Sequence, residues 1–150
     1  MPIPFIELRE ITRDNWLECI NLKVRQQQSS FVSSNLFSLA QSKFEPWRVP
    51  CGIYNDQYEM VGFIMYNDKP FEDDGTYRIS RLMIDEAHQG KGYGRAAALE
   101  AIERLKKVPD CQEIILDYVP DNEGAAKLWT SLGFVVFGQH NHNLVAKLKL

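Results

Sequence analysis

Apolar residues change their spacing several times along the chain, and each change predicts a new element. Weak alternation over residues 5–11 predicts a first strand. Trp16, Ile20 and Val24 recur at helical spacing and predict a helix with one apolar face. A second short helix is predicted over about residues 34–43, with four apolar positions: Leu36, Phe37, Leu39 and Ala40.

The middle of the chain changes to the period of two that is typical of strands. Segments 49–54 and 58–66 predict an antiparallel hairpin, because a polar turn separates them. Segment 77–85 predicts a further strand. Its alternation places Ile79, Arg81, Met83 and Asp85 on one side, and Ser80, Leu82 and Ile84 on the other.

The C-terminal half alternates helices with apolar strands. Segment 113–119 predicts a buried central strand, and 134–137 with 144–150 predict a final hairpin. Two sets of residues at helical spacing predict helices that pack on a sheet: Ala98, Ala101, Ile102 and Leu105, then Ala125, Leu128, Trp129 and Leu132. The element order predicts one α/β (α+β) domain over residues 1–150. Its sheet is mixed and mostly antiparallel, with about six or seven strands and about four helices on its faces.

Composition narrows the class of protein. The chain has 150 residues, of which 45% are hydrophobic and 11% aromatic, which excludes a disordered protein and fits one globular domain. The formal net charge is −3, which argues against binding to nucleic acid through bulk charge. This balance fits an enzyme that acts on small molecules, including cationic ones.

The cysteines and residues 1–7 indicate the cellular compartment of the protein. Cys19, Cys51 and Cys111 lie far apart and include no C-x-x-C pair, which suits a reducing compartment. No apolar run is long enough for a membrane span, and residues 1–7 lack the features of a signal peptide. We therefore expect a cytoplasmic protein that is not bound to a membrane.

A glycine-rich segment follows the strand over 77–85 and leads into a helix. Gly90, Gly92 and Gly94 alternate with Lys91 and Tyr93. Glycine lets the backbone approach a phosphate closely, and a helix N-terminus offers free N–H groups and positive potential. The segment therefore predicts a cradle for a pyrophosphate, with a tight turn that binds nothing as the alternative.

Two common phosphate-binding motifs do not fit this segment. A P-loop requires G-x-x-x-x-G-K-[ST], which the chain lacks here. Asp110 stands 20 residues after Gly90, as the acidic residue of a dinucleotide site does. The glycine spacing, however, is G-x-G-x-G, and too few residues follow to build a dinucleotide-binding sheet.

A third pattern does fit. Gln89-x-x-Gly92-x-Gly94 resembles the Q/R-x-x-G-x-G/A signature of the GNAT family of N-acetyltransferases. The preceding Leu82-x-Ile84 and the downstream segment from Asn122 to Gly133-Phe134 also resemble that family's motifs. Within the family, several segments look like the bacterial spermine/spermidine acetyltransferases of the BltD type: Phe31-Val32-x-Ser34-Asn35, Ser38-Leu39-Ala40-Gln41, Arg81-Leu82-Met83-Ile84-Asp85 and Gln89-Gly90-Lys91-Gly92-Tyr93-Gly94.

The resemblance implies acetyl-CoA as co-substrate. The amides of residues 90–95 would bind its pyrophosphate, the backbone of Met83 and Ile84 would hold the pantetheine and polarise the thioester, and Asn122 would lie near the pantetheine. The full set of implied cofactor-binding residues is Leu82, Met83, Ile84, Gln89, Gly90, Lys91, Gly92, Tyr93, Gly94, Arg95 and Asn122.

The chain departs from the family at one catalytic position. The family usually places a tyrosine in its second motif as the acid for the leaving thiolate, and this chain has Trp129 there. An indole N–H donates a hydrogen bond but supplies no proton in this pH range. Tyr118, at the end of the predicted central strand, is the candidate catalytic residue in its place, with plain aromatic packing as the alternative.

Acidic residues are the candidates for binding an amine. A loop carries three of them and would attract a polycation, unless it is simply a solvated loop. Two more stand at strand ends near the predicted cleft. The candidate substrate-binding residues are thus Glu72, Asp73, Asp74, Asp85 and Asp117.

Two further features favour no chemistry of their own. His140-x-His142 lies in a polar turn with no third ligand nearby, so no metal site is predicted. Cys111 has no histidine beside it in sequence, so a structural or surface thiol is expected rather than a nucleophile.

These observations together predict an acetyl-CoA-dependent N-acetyltransferase acting on a primary amine, with spermidine or spermine as the expected acceptor. The alternatives are another small amine or a protein amine as acceptor, or an acyl-CoA-binding module with little catalysis. Because relatives of this fold often pair through sheet edges or the last hairpin, the resemblance also makes a homodimer a candidate assembly.

Overall fold

A computed structural model describes residues 2–150. Met1, the first residue of the segment that argues against a signal peptide, lies outside the described residues. The chain forms seven strands and four α-helices over the described residues. Their order is β1 (Glu7–Glu10), α1 (Trp16–Asn21), α2 (Asn35–Phe44), β2 (Arg48–Tyr54), β3 (Met60–Asn67), β4 (Ile79–Ile84), α3 (Tyr93–Lys106), β5 (Glu113–Tyr118), α4 (Glu123–Ser131), β6 (Val135–His140) and β7 (Asn143–Lys149).

The strands form two antiparallel sheets. The first has the order β1-β2-β3-β4 and the second the order β5-β7-β6. One parallel bridge, between Arg78 and Ile115, joins them within residues 2–150. The α/β class is therefore confirmed, and the single sheet that the sequence predicts is divided at the junction of β4 and β5.

Helix α3 packs on the first sheet through its small residues. Ala98, Ala101, Ile102 and Leu105 are buried, as their helical spacing predicts, and Ala97 is buried beside them. Alanines let the helix axis approach the sheet closely, and their burial against β3 and β4 anchors the start of α3 beside the end of β4. The glycine segment thus connects two well-packed elements.

The N-terminal helices differ from the prediction. Helix α1 ends at Asn21, so Val24 lies beyond it, and Trp16 is 40% exposed. In α2 the buried residues are polar, Asn35 and Ser38, while the predicted apolar positions Leu36 and Phe37 are exposed. The apolar spacing describes the buried face of α2 only in part, because Leu39 packs against the second core cluster while Asn35 makes a buried polar contact with α1.

The polar contact between α1 and α2 is specific. Asn35 Nδ2 donates to the backbone oxygen of Cys19 at 2.9 Å and lies 3.7 Å from the sulfur of Met83. A buried amide that satisfies a helix-terminal carbonyl fixes one helix against the other.

A β-bulge in β4 overturns the predicted side-chain alternation. Residues Met65 and Tyr66 of β3 pair with Arg81 and Ile79, which leaves Ser80 as the extra residue. Ile79 therefore packs in the main core together with Leu82 and Ile84, whereas Met83 lies in a second core cluster. Ile79 and Met83 face opposite sides, because one inserted residue reverses the alternation.

Candidate active site

A cleft of about 390 Å³ opens where β4 and β5 separate. Its size lies within the range of small-molecule sites. Ten of the residues that the sequence predicts for cofactor binding or catalysis line it, together with one predicted acid and Trp129: Leu82, Met83, Ile84, Gln89, Gly90, Gly92, Tyr93, Gly94, Asp117, Tyr118, Asn122 and Trp129.

The glycine turn has the geometry of an anion cradle. Gly90 and Gly92 have φ angles of 80° and 88°, in the left-handed region that favours glycine. A Cβ built on Gly90 would meet no atom within 4 Å, so this backbone faces open space. Helix α3 starts at Tyr93 with no side-chain cap from Gly92, which leaves its first amides free for a ligand. The turn therefore fits a pyrophosphate.

The two cations of the segment lie outside the cleft wall. Lys91 and Arg95 are absent from the lining residues. Arg95 Nη1 instead donates to Ser131 Oγ at 2.6 Å, which joins α3 to α4. Both side chains still add positive potential near the helix start, and the binding of pyrophosphate by the amides of these two residues stays a prediction.

Strand β4 presents an open edge to the cleft. Leu82, Met83 and Ile84 pair with β3 on one side, and β4 is the last strand of its sheet. A strand edge of this kind can hydrogen-bond an extended, amide-bearing chain. The arrangement fits the amide groups of a pantetheine arm.

Tyr118, Asn122 and Trp129 form the opposite wall. Tyr118 ends β5 and is 8% exposed. Asn122 caps α4, where its side-chain oxygen accepts from Ala125 N at 3.1 Å. Trp129 is buried, and its ring centroid lies 5.3 Å from that of Phe134 in an edge-on arrangement, so Trp129 packs in the core as well as lining the cleft. Tyr118 is therefore the one tyrosine of β5 and α4 that lines the cleft among the described residues.

Of the five predicted substrate-binding acids, Asp117 lines the cleft. Its Oδ2 accepts from Asn143 Nδ2 at 2.8 Å, and the side chain remains exposed. Asp85 is instead occupied by two backbone amides, Lys23 N at 2.9 Å and Ala87 N at 3.1 Å. The structure thus gives Asp85 a holding role next to the glycine turn.

The acidic loop lies away from the cleft. Glu72, Asp73 and Asp74 are absent from its lining, and Asp74 borders a separate hollow. Asp74 accepts from the Thr76 hydroxyl at 2.7 Å and pairs with Arg78 at 2.9 Å. The hydrogen bond from Thr76 is the largest cause that holds the pKa of Asp74 below its usual value, with Arg78 adding to it. A direct role of this loop in amine binding stays a prediction without support from its position.

Sequence reasoning missed the part of Arg81. Arg81 lines the cleft. Its guanidinium donates to Ser80 O at 2.9 Å and to Gln41 Oε1 at 3.1 Å. Its Nε is buried and has no hydrogen-bond partner within the described residues. Burial, followed by the nearby Arg48, lowers the pKa of Arg81. A charged residue inside an apolar strand was the available signal.

Sequence reasoning also missed one wall of the cleft. Val24, Gln28, Phe31 and Val32 line it, although the polar run around Gln28 predicts only the end of a helix. Irregular segments give no periodic signal, so their position depends on tertiary contacts that the sequence pattern does not reveal.

The three cysteines, together with His140 and His142, do not line the cleft, whereas His88 does. All three cysteines are buried and free, and burial raises the pKa of Cys19 and of Cys51 to about 12 and raises that of Cys111. His142 lies in the β6–β7 turn with a φ of 71°. Residues 2–150 contain no cluster of three metal-ligating side chains, and no helix among them is long and apolar enough to cross a membrane.

Comparisons with known proteins agree with the family that the motifs around the cleft resemble. The family model described as "Acetyltransferase (GNAT) family" matches residues 7–134. The chain is 31% identical over 142 residues to the spermine/spermidine N(1)-acetyltransferase of Bacillus subtilis, covering 92% of this chain and 93% of that protein.

Solved structures share the fold at lower identity. The spermidine N-acetyltransferase from Vibrio cholerae, in complex with CoA and spermine, has a TM-score of 0.72 at 18% identity, over 95% of this chain and 92% of that one. A ribosomal-protein-S5-alanine acetyltransferase from Vibrio fischeri has a TM-score of 0.75 at 16% identity, over 99% and 95%.

The family match confirms the predictions of an N-acetyltransferase and of acetyl-CoA as co-substrate. The structure is consistent with that match in its element order, in the separation of β4 from β5 and in its glycine turn. The chain belongs to the acetyltransferase (GNAT) family.

Proposed function

We propose that this enzyme transfers the acetyl group of acetyl-CoA to a primary amine of a polyamine such as spermidine or spermine. The observation that carries the acceptor is the 31% identity, over 92% of the chain, to a spermine/spermidine N(1)-acetyltransferase. Fold likeness does not choose among acceptors, because structures named for spermidine and for a ribosomal protein score almost equally, at TM-scores of 0.72 and 0.75.

The charges of the cleft support a cationic acceptor at one place and oppose it at another. Asp117 is exposed at the cleft wall and attracts an ammonium group. Arg81 and its neighbour Arg48 repel one. Asp117 is also close enough to act on the Arg81 guanidinium, so its attraction for an ammonium group is partly offset there.

The residues of the cleft divide the work of holding the co-substrate. The amides after Gly90 and at the start of α3 bind the pyrophosphate, helped by the helix dipole. The open edge of β4 along Met83 and Ile84 holds the pantetheine arm by backbone hydrogen bonds. Bound acetyl-CoA would supply an activated acyl carbon for attack by the amine.

The transfer needs three proton movements. An alkylamine with a pKa near that of lysine, about 10.4, arrives protonated at neutral pH and must lose a proton to a base or to water before it attacks. A C–N bond then forms and the C–S bond breaks, while the nitrogen loses a second proton to water and the leaving sulfur takes one. Tyr118 is the residue that we assign to that last step, because Trp129 cannot supply a proton.

Release of free CoA thiol from acetyl-CoA tests this function. The panel consists of spermidine, spermine, putrescine, an aminoglycoside and a lysine peptide. Release that depends on the polyamines alone supports both the reaction and the acceptor. Release with the peptide or the aminoglycoside alone shows that this compound, and not a polyamine, is the acceptor class. Tight binding of acetyl-CoA with no release for any amine favours the binding-module alternative. A cytoplasmic location and a homodimer stay predictions.

A further inference from the structure

The segment between α1 and α2 forms one wall of the cleft with little packing of its own. We define residues 23–32 as the strap. Four of its residues, Val24, Gln28, Phe31 and Val32, line the cleft. No residue of the strap is fully buried. A segment with so few buried contacts has low local stability, so its position depends on the points where it is attached.

The first attachment joins the strap to the end of β4. Lys23 N donates to Asp85 Oδ1 at 2.9 Å, and Glu86 N donates to Lys23 O at 2.7 Å. Asp85 also accepts from Ala87 N at 3.1 Å, so its carboxylate joins the strap to the turn that leads to Gly90. The start of the strap is therefore fixed to the approach to the glycine turn.

The second attachment is a pair of side-chain amides. Gln89 Nε2 donates to Gln28 Oε1 at 2.8 Å, and Gln28 Nε2 lies 3.3 Å from Gln89 Oε1 as a returning donor. Gln89 Nε2 also donates to Ile84 O at 3.0 Å. Gln28 Oε1 further accepts from Arg25 N at 3.1 Å, which holds the turn of the strap together.

We propose that Gln28 is a positioning residue that couples occupation of the glycine turn to the position of the strap, and so to the shape of the cleft in which the acceptor reacts. Gln89 precedes Gly90 directly, so a pyrophosphate held at the turn restricts the motion of Gln89. The hydrogen bonds between Gln89 and Gln28 then restrict the motion of the strap. This rests on the proposed function, in which the turn binds the co-substrate. Because coupling is reciprocal, a seated strap also strengthens co-substrate binding.

Hydrogen exchange with CoA as the probe tests the coupling without any amine. In the wild type, CoA slows exchange both at residues 90–96 and at residues 24–32. In Gln28→Ala it slows exchange at residues 90–96 alone, which also shows that the variant is folded and binds CoA. Gln27→Ala is the matched control, since Gln27 is the exposed neighbour outside the cleft lining, and it retains both effects.

Kinetics provides the second readout. Gln28→Ala raises KM for spermidine about fivefold, the factor of one neutral hydrogen bond, with a smaller change in kcat. Gln27→Ala leaves both unchanged. A purely structural role of Gln28 would instead lower the amount of active enzyme and leave KM as it is.

Three outcomes overturn the inference. Protection of residues 24–32 by CoA in Gln28→Ala, equal to that in the wild type, shows that Gln28 does not carry the coupling. Protection confined to residues 90–96 in the wild type shows that no coupling exists. Protection of neither segment means that the glycine turn does not bind CoA, so the proposed function fails first and the inference fails with it.

Discussion

Ile115 N donates a hydrogen bond of 2.9 Å to the backbone oxygen of Tyr77, at the point where the two sheets touch. Beyond this contact β4 and β5 belong to different sheets, and the cleft lies between them. The junction explains why residues far apart in sequence, such as Met83 and Tyr118, line one site. A strand pair that opens at one end gives the co-substrate a free strand edge.

Gly90→Val is expected to weaken binding of CoA by about 10- to 100-fold, the range for losing a hydrogen bond to a charged group. Its Cβ would project into the open space that the proposed phosphate occupies. Gly75→Val is the matched control, because Gly75 has a φ of 71°, also has open space around its Cβ position, and lies outside the cleft. Both variants bear the same kind of backbone cost, and calorimetric titration with CoA separates them. Equal CoA affinity in the two would contradict the cradle.

Tyr118→Phe is expected to lower kcat by about 100-fold, the usual contribution of a general acid. KM for acetyl-CoA should change little, because the phenyl ring still packs in place. Tyr77→Phe serves as control, since Tyr77 is equally buried at 7% exposed and does not line the cleft. The pH profile of kcat is the measurement. A profile for Tyr118→Phe that overlays the wild type would remove the assigned role.

Asp117→Asn is expected to raise KM for spermine about two- to fivefold, the scale of an exposed charge pair. The effect should shrink with added salt, because ions screen exposed charges. KM for acetyl-CoA is the internal control. Asp56→Asn, in the β2–β3 turn outside the cleft, should leave both constants unchanged. A salt-independent KM in the wild type would argue against attraction by Asp117.

Asp74→Asn is expected to reduce stability at neutral pH and to have no effect in acid. The pKa of Asp74 is lowered in the fold, chiefly by the Thr76 hydroxyl, so the carboxylate stabilises the fold above the ordinary value of 3.8. That contribution is lost as pH falls through 3.8 and then through the lower pKa of the folded chain. Urea unfolding at about pH 7 and about pH 2.5 measures the difference. A deficit of the variant that persists in acid would show that the charge is not the cause.

The sequence predicts the regular parts of this fold well, for physical reasons that particular residues illustrate. The alanines of α3 are buried as their spacing predicts, because one helix face must cover the sheet. The glycine turn is also predictable, since Gly90 and Gly92 adopt backbone angles that other residues avoid. In both cases local chemistry and tertiary structure agree.

The missed parts depend on contacts between distant segments. The bulge at Ser80 leaves no mark in the sequence, yet it reverses which residues of β4 face the main core. Asn35 is buried because it satisfies the carbonyl of Cys19, which no periodicity reveals. The same holds for the strap, where Gln28 finds its partner 61 residues away at Gln89. Among the five candidate acids, Asp117 lines the cleft and the other four do not, and the sequence carries no signal that separates them.

The central claim is that this cleft transfers acetyl from acetyl-CoA to a polyamine. Mass spectrometry of spermidine incubated with acetyl-CoA and the wild-type enzyme tests it most directly. The account predicts monoacetylated spermidine and free CoA in equal amounts, with less of both formed by Gly90→Val at the same, subsaturating co-substrate concentration. Unmodified spermidine, from an enzyme that still binds CoA at the glycine turn, would contradict it.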